Sequence, residues 1–364
     1  MSLAPFGLMA SAIWSLVAAV VIAAVSTGCS SVRSSSVPEV RGVRDESVTF
    51  LSGDVTLSGT LFLPASGDRH PAVVLFHGSG PQPRNPFMAR WFAEHGVAAL
   101  TYDKRGVNAS TGDFRIVPFT DLVADGLAAV TVLKARGDID PKRIGVWGLS
   151  QGGWLGPLAA SQSRDVAFVI AVSGPGVSPG EQMVFYYANQ LRAQGFNEQE
   201  VAEASDTRRK LWHVLSTGDG YDAARTSLEH GRSLRWFSAV NEQSGGLLSR
   251  PTDELLNDVT VRNRQWYRFE ANYDPTIALR GLKVPALFIF GDKDELVPVE
   301  PSVAIIRQTL TDAGDRAFSI VVFPGADHVM TVPSVEGSRT FAAGYLDAIE
   351  GWLRKNVELP PRTP

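Results

Sequence analysis

The feature that most constrains the fold is the pentapeptide Gly148-Leu149-Ser150-Gln151-Gly152, which lies between an apolar run at 143–147 and a helix-like segment at 154–160. G-x-S-x-G between a strand and a helix is typical of a catalytic serine held on a sharp turn at the edge of a sheet. Glycines flank the serine because larger side chains would clash in so tight a turn. The pattern predicts Ser150 as a nucleophile, and the alternative is a glycine-rich turn without chemistry.

Strand-like and helix-like segments alternate from about residue 70, and this alternation predicts the fold class. Runs of β-branched and aromatic residues are typical of strands buried on both faces. We therefore expect an α/β fold with a mostly parallel central sheet, helices on both faces, and an antiparallel hairpin over 47–63 at one edge. The predicted buried strands are 71–76, 96–102, 143–147, 165–173, 284–290 and 318–323, and the predicted helices are 85–95, 118–136 and 337–355.

Residues 181–280 differ in character from the segments on either side. Polar, helix-forming residues dominate there, aromatic residues are scattered among them, and no buried-strand pattern occurs. This composition predicts a helical insertion between two parts of one core, 47–180 and 281–364. We expect a lid over Ser150 whose aromatic residues line an acyl pocket, and the alternative is a helical layer that only packs on the sheet.

A serine hydroxyl needs a base within hydrogen-bond reach and an acid that orients the base. In folds built on this serine turn, the order along the chain is serine, acid, histidine. Three histidines follow Ser150, and two of them, His213 and His230, fall in the insertion. His328 lies in a loop directly after the last predicted strand, so it is the predicted base. The alternative for His328 is a solvated surface group.

The acid is expected just beyond the preceding strand, where Asp292, Asp294 and Glu295 follow one another closely. We predict Asp294, because the chain must first turn at Gly291-Asp292 before a side chain can point toward the histidine. Asp292 is the second candidate for the acid, although a turn-capping role suits it better. Asp327, next to His328, is expected to be solvated.

Two backbone N–H groups are predicted to form an oxyanion hole. One belongs to Gln151, which follows the nucleophile at the start of a helix. The other belongs to Ser79 in the loop His77-Gly78-Ser79-Gly80, where the glycines let the backbone turn toward the site. In this interpretation, His77 holds the loop by a hydrogen bond and is not a second base.

Composition narrows the classes of partner. The chain has 364 residues, of which 44% are hydrophobic, and a formal net charge of −4, which suits one α/β domain with an insertion. No basic run is long enough to bind nucleic acid. Histidine, cysteine and carboxylate residues nowhere show the spacing of metal ligands, so neither a metal nor an organic cofactor is predicted.

The N-terminal segment 1–29 is similar to an export signal. An apolar stretch at 8–25 precedes Gly28-Cys29, which resembles the lipobox of bacterial lipoproteins with Cys29 as the lipidated residue. Two departures are Ser26, where leucine is preferred, and the lack of Lys or Arg before the stretch. An uncleaved membrane anchor and a plain secretory signal are the alternatives. With a serine-rich tether at 30–46, the segment predicts an exported protein of the cell envelope, held to the membrane by a lipid or anchor.

The motifs together resemble the α/β-hydrolases, in particular the bacterial esterase, dienelactone-hydrolase-like and serine aminopeptidase-like branches. Two departures are Asn108, where glycine is frequent, and Leu149. The resemblance implies that Asp103-Lys104-Arg105-Gly106 is a structural loop held near the active site by salt bridges and a turn, and the alternative is contact with substrate. It disfavours true dienelactone hydrolysis, which uses a cysteine nucleophile. The stretches that carry the resemblance are 71–81, 102–112, 148–153 and 291–294, together with His328.

The predicted function is hydrolysis of small-molecule carboxylic esters with short to medium acyl chains, through an acyl-enzyme on Ser150. One alternative is a short-peptide aminopeptidase-like hydrolase, with Glu181, Asp206 or Glu270 as the anchor for a free amine. Others are an envelope acyltransferase and, from another class, a non-catalytic envelope lipoprotein. The sequence does not determine the oligomeric state.

Overall fold

The computed structural model describes residues 42–359, apart from 66, 68, 335 and 336. The predicted export signal, Cys29 and the first part of the predicted tether lie outside the described residues. Within the described ranges, no helix combines the length and the apolar character needed to cross a bilayer.

A twisted sheet of eight strands forms the centre of the molecule, in the order β1-β2-β4-β3-β5-β6-β7-β8. β1 and β2 form an antiparallel edge hairpin, β2 is antiparallel to β4, and all later neighbours are parallel. The strands are β1 Val43–Ser52, β2 Val55–Pro64, β3 His70–Phe76, β4 Ala98–Tyr102, β5 Ile139–Leu149, β6 Val169–Val172, β7 Ala286–Gly291 and β8 Phe318–Phe323. β9 Thr331–Pro333 and β10 Arg339–Phe341 form a separate antiparallel pair.

Helices cover both faces of the sheet and bury two hydrophobic clusters. One face carries α1 Pro86–Glu94 and α12 Tyr345–Asn356; the other carries α2 Phe119–Lys134, α3 Gln151–Gln162, α10 Pro275–Gly281 and α11 Val299–Asp312. The central strands β3, β4, β6 and β7 are buried along their whole length, as their continuous apolar runs predict. The predicted α/β fold with a mostly parallel sheet is therefore confirmed.

The insertion is helical, and it buries a third cluster of its own, which includes Leu191, Leu211, Leu228, Trp236 and Leu255. A separate core lets the insertion hold its shape beside the sheet. Its elements are α4 Pro179–Ala193, α5 Glu198–Thr217, α6 Tyr221–Gly231, α7 Phe237–Gln243, a 3₁₀ turn Leu247–Ser249, α8 Thr252–Leu256, α9 Val259–Arg262 and a π-helical turn Trp266–Glu270. α10, which the sequence placed at the end of the insertion, packs against α3 in the main core.

The predicted boundaries of the tether, of the strand before Ser150 and of the last helix are wrong, because the local residue pattern there does not reveal the pairing of the strands. The tether was expected to reach residue 46, but β1 begins at Val43, which pairs with Pro64. β1 is an exposed edge strand, and its polar residues resemble those of a tether. β5 begins at Ile139 and tolerates Pro141 because the pairing with β3 is irregular there. The last helix begins at Tyr345 and not at 337, because residues 339–341 pair with β9.

Candidate active site

The nucleophile turn joins β5 to α3, and Ser150 occupies it with φ 58° and ψ −115°. A residue with a side chain rarely adopts this conformation, so the turn stores backbone strain. A Cβ on Gly148 would lie 2.2 Å from the carbonyl oxygen of Gly152, so only glycine fits there. The backbone N–H of Ser150 donates to the Val172 carbonyl at 2.9 Å, which fixes the turn to the end of β6. The sequence therefore folds into the strained turn that the motif predicts.

His328 and Asp294 form a buried pair at the same end of the sheet. The Nδ1 atom of His328 lies 2.8 Å from the Asp294 Oδ2 atom. The other oxygen, Oδ1, accepts the backbone N–H groups of Leu296 and Val297 at 2.8 and 2.9 Å. Three hydrogen bonds thus hold a carboxylate whose side chain is 0% exposed.

The histidine loop is tied to the nucleophile turn through β6. The Ser173 hydroxyl, one residue beyond Val172, donates to the His328 carbonyl at 2.8 Å. Ser150 is half-buried, whereas His328 is buried. The two other histidines that follow Ser150, His213 and His230, lie exposed on insertion helices. Ser150, Asp294 and His328 therefore follow the carboxyl ends of β5, β7 and β8, and β6 links the Ser150 turn to the His328 loop.

The two neighbouring carboxylates have structural roles. Asp292 was expected to cap its own turn, but it instead accepts the backbone N–H of Gly325 at 2.7 Å and so ties its loop to the loop after β8. Asp327 was expected to be solvated, and its side chain is 27% exposed, but it also makes contacts within its loop. It accepts hydrogen bonds from the backbone and hydroxyl of Thr331, both at 2.8 Å, and forms an ion pair with Arg339 at 2.7 Å. Asp327 therefore organises the loop that carries His328, and no motif in the sequence marks this role.

The predicted oxyanion loop lies directly beside the nucleophile. A Cβ on Gly78 would be 3.9 Å from the Cβ of Ser150. Gln151 is the first residue of α3, so its N–H has no carbonyl partner within that helix. His77 is buried, and its Nε2 atom bonds to the Tyr102 carbonyl. Because burial lowers the pKa of His77 to about 3, this histidine is neutral and structural, as expected.

Lys104 is a residue whose position the sequence analysis did not anticipate. Its ammonium group is buried, and it donates to the Gly78 carbonyl at 2.9 Å and to the Gln151 Oε1 atom at 2.7 Å. One cation thus joins the two segments that would supply the oxyanion N–H groups. Its charged neighbours, Asp103 and Arg105, pair with Arg84 and Asp125, each at 2.7 Å. The loop is therefore structural, as expected, but Lys104 also reaches the site.

Comparison with known proteins identifies the family. A family model described as serine aminopeptidase, S33 matches residues 67–332 of the 364-residue chain. The chain belongs to the serine aminopeptidase S33 family. The predicted resemblance to α/β-hydrolases is thereby confirmed.

The relatives of this S33-family chain carry names of different activities. The polyketide transferase grgF of Penicillium sp. is 39% identical over 137 residues, or 35% of this chain and 44% of that protein. The esterase EstD of Thermotoga maritima is 25% identical over 304 residues, or 80% of this chain and 62% of EstD. The chain thus spans less than two thirds of either relative. The quorum-quenching protein AidA of Acinetobacter baumannii is 32% identical over 258 residues, or 69% of this chain and 79% of AidA.

A solved structure agrees with the fold. The crystal structure of the α/β-hydrolase GrgF aligns with a TM-score of 0.53 at 21% sequence identity. The alignment covers 87% of this chain and 99% of GrgF. At 21% identity, the similarity supports the fold alone, and the chemistry follows from the residues of the site.

Glu270, at the end of the insertion of this S33-family chain, interacts electrostatically with Lys104. Burial raises the pKa of Glu270 to about 7, and the charge of Lys104 opposes that shift. Burial lowers the pKa of Lys104 to about 7, and Glu270 opposes that shift. Gln265 donates to the Glu270 carboxyl at 2.6 Å and to the carbonyls of Phe114 and Val117 at 2.9 and 2.8 Å. The insertion is therefore anchored to the core next to the oxyanion segments.

The three carboxylates considered as amine anchors already interact with cations of the chain. Glu181 pairs with Arg209 at 2.9 Å, and Asp206 pairs with Lys210, both at the surface. Glu270 is buried and interacts electrostatically with Lys104. A substrate amine would have to displace the cation paired with Glu181 or Asp206, so these two ion pairs do not favour an amine site at either residue.

Proposed function

We propose that this S33-family chain hydrolyses carboxylic esters of small molecules through an acyl-enzyme on Ser150. The observation that carries the proposal is the buried, hydrogen-bonded pair of Asp294 and His328. This pair lies at the carboxyl end of the sheet, where the strained Ser150 turn also lies. A strained nucleophile turn is costly to maintain, and such strain clusters at sites where it serves the mechanism. A strained serine turn together with a buried Asp294–His328 pair favours an enzyme over a non-catalytic envelope protein.

The first half of the reaction transfers the acyl group to the enzyme. The Ser150 Oγ atom attacks the acyl carbonyl carbon while the His328 Nε2 atom takes the hydroxyl proton. Asp294 accepts the Nδ1–H group, which keeps the histidine in the tautomer that can receive that proton. The N–H groups of Ser79 and Gln151 stabilise the oxyanion. The C–O bond to the leaving group then breaks, and His328 gives its proton to the departing alcohol.

The second half releases the acid. His328 takes a proton from a water molecule, and the resulting hydroxide attacks the acyl carbonyl carbon. The oxyanion forms again in the same hole, and the bond to Ser150 Oγ breaks as His328 returns the proton to the serine. The products are one carboxylic acid and one alcohol, and the enzyme is unchanged.

The relatives support ester hydrolysis and leave one competitor. EstD is named an esterase, which agrees with the proposal. The name polyketide transferase for grgF supports acyl transfer as the second candidate. Transfer would use the same acyl-enzyme with another acceptor in place of water, so only the products distinguish the two reactions.

A fluorophosphonate probe and an ester series test the proposal together. We expect the probe to label Ser150 and p-nitrophenyl esters to turn over, with acyl chains of two to about ten carbons compared to find the preferred length. Product analysis with and without an added alcohol or amine distinguishes hydrolysis from transfer. An amino acid p-nitroanilide should remain uncleaved. Absence of labelling at Ser150 would contradict the proposal and favour a binding protein.

Lys104→Met is expected to lower kcat about 10-fold to 100-fold while KM changes little. Methionine keeps the unbranched, flexible form of the side chain but has no ammonium group to hold the Gly78 carbonyl and the Gln151 Oε1 atom. The oxyanion N–H groups stabilise the transition state more than bound substrate, so their misplacement reduces kcat selectively. Steady-state kinetics on a p-nitrophenyl ester gives both constants.

Lys293→Met is the matched control, because Lys293 is exposed in the loop that carries Asp294. Its constants should equal those of the unmodified protein. If Lys104→Met raised KM and left kcat unchanged, Lys104 would act in substrate binding and not in positioning the oxyanion segments.

A further inference from the structure

The insertion contains a cavity of about 430 Å³ whose walls the proposed reaction does not use. Ser150, Asp294 and His328 are absent from the described residues that line it. Helices of the insertion form most of the wall, and Arg115 and Ile116 of the core complete it. The volume falls within the range of small-molecule sites.

Aromatic rings give this cavity an apolar body. Tyr187, Trp212, Trp266 and Phe269 line it. The rings of Trp212 and Trp266 meet edge to face, with centroids 5.4 Å apart, and Trp212 meets Tyr187 at 6.4 Å. Rings that support one another in this way form a preformed wall against which an alkyl or aryl group can pack.

The charge of the lining has one sign. Four arginines, Arg115, Arg208, Arg264 and Arg268, contribute to it, and the described lining residues include no Asp or Glu. Arg115 is neutralised by Asp113 at 2.7 Å, whereas the other three form no ion pair with any residue that the structure describes. A chain with a net charge of −4 therefore concentrates uncompensated positive charge around one apolar cavity.

Arg208 is the most informative of the four because it is buried, with 4% of its surface exposed. Its guanidinium lies over the Tyr187 ring at 4.1 Å from the centroid, and Nη2 donates to the Gln243 Oε1 atom at 2.6 Å. Burial lowers the pKa of Arg208 only to about 10, so it is charged at neutral pH. A buried cation without a counter-charge is costly, and an anion bound beside it would offset that cost.

We propose that this cavity binds an organic anion with an apolar body, such as a medium-chain carboxylate, with its charged end on Arg208. The planar guanidinium presents several N–H donors in a geometry that matches a carboxylate, and its contacts with the Tyr187 ring and Gln243 hold it in place. The aromatic wall takes the alkyl or aryl part. This binding does not depend on ester hydrolysis, and it can be measured in a protein that lacks the nucleophile.

Three ten-carbon-chain ligands test the proposal: decanoate and decyltrimethylammonium below their micelle concentrations, and 1-decanol below its solubility limit. Binding is followed by tryptophan fluorescence, since Trp212 and Trp266 line the cavity, and by calorimetry. In Ser150→Ala protein, we expect decanoate to bind about tenfold or more tightly than decanol, and the cation to bind least. Equal affinities of Ser150→Ala protein for decanoate and decanol would overturn the proposal before any residue of the cavity is changed.

Arg208→Met locates the anion within the cavity. This variant should lose the preference for decanoate over decanol, whereas Arg209→Met should keep it. Arg209 is the adjacent residue on α5, but it is exposed and paired with Glu181. Retention of the preference by a folded Arg208→Met protein would overturn the assignment to Arg208. If that variant does not fold, Gln243→Leu, which removes the Arg208 partner, should still change decanoate affinity more than decanol affinity.

Discussion

Ser150→Ala is expected to lower kcat for ester hydrolysis by about 10⁵-fold or more, because no other group in the proposed mechanism can carry the acyl chain. The measurement is steady-state turnover of a p-nitrophenyl ester together with fluorophosphonate labelling, both of which should disappear. Alanine keeps the Cβ atom and therefore the strained backbone, so thermal stability should change little. Loss of activity would then report chemistry and not unfolding.

Ser161→Ala is the matched control, since Ser161 lies on the same helix and its hydroxyl donates to the nearby Leu158 carbonyl. It should leave kcat unchanged. Ser150→Gly extends the test, and it should also be inactive because it lacks the hydroxyl. Glycine tolerates φ 58° without strain, so the variant should be more stable than Ser150→Ala. The expected gain in the free energy of unfolding is about 1 kcal/mol, after the greater entropy of unfolded glycine is subtracted. Normal turnover of esters by purified Ser150→Ala protein would rule out the proposed nucleophile.

Asp294→Asn is expected to lower kcat about 10³-fold to 10⁴-fold at neutral pH. The asparagine oxygen can still accept the N–H groups of Leu296 and Val297, so the loop should keep its shape. Its amide nitrogen, however, would donate toward the His328 Nδ1 atom, which must then become an acceptor. The histidine would carry its proton on Nε2, and it could no longer take the proton of Ser150.

The same steady-state assay, with circular dichroism as a check on folding, tests this substitution. Asp292→Asn is the control, because Asp292 lies two residues away and caps Gly325 through an oxygen that asparagine also has. Its activity should stay within a few-fold of the unmodified protein. Comparable losses in the two variants would show that the loop is sensitive to any change, and they would remove the evidence for Asp294 as the orienting acid.

Much of the fold could be predicted from the sequence because its signals are local. Buried parallel strands require continuous apolar runs, and β3, β4, β6 and β7 show them. The strand, tight turn and helix around Ser150 lie within about twenty residues, so a short motif describes them. The exposed edge strand β1 and the small pair β9–β10 lack such a signal, because solvent imposes no pattern on their outer faces.

The predicted site residues could be chosen from the sequence because each lies in a loop that follows a strand. In a parallel sheet, the carboxyl ends of all strands lie at the same end of the sheet. The roles of Asp327 and Lys104 could not be chosen in this way. Asp327 binds Thr331 and Arg339 in a loop whose turns are irregular. Lys104 meets Gly78 and Gln151 across separations of 26 and 47 residues, and nothing local in the sequence marks those contacts.

The sequence by itself determined the fold class, the candidate nucleophile at Ser150 and the order in which its partners follow, since backbone propensity and chain order set these. Only the tertiary structure decided which charges meet. It placed Lys104 between the two oxyanion segments, and it left Arg208 buried in the insertion without a carboxylate among the described residues. The physical reason is that the free energy of a charge depends on its burial and its neighbours, which the packed chain alone defines.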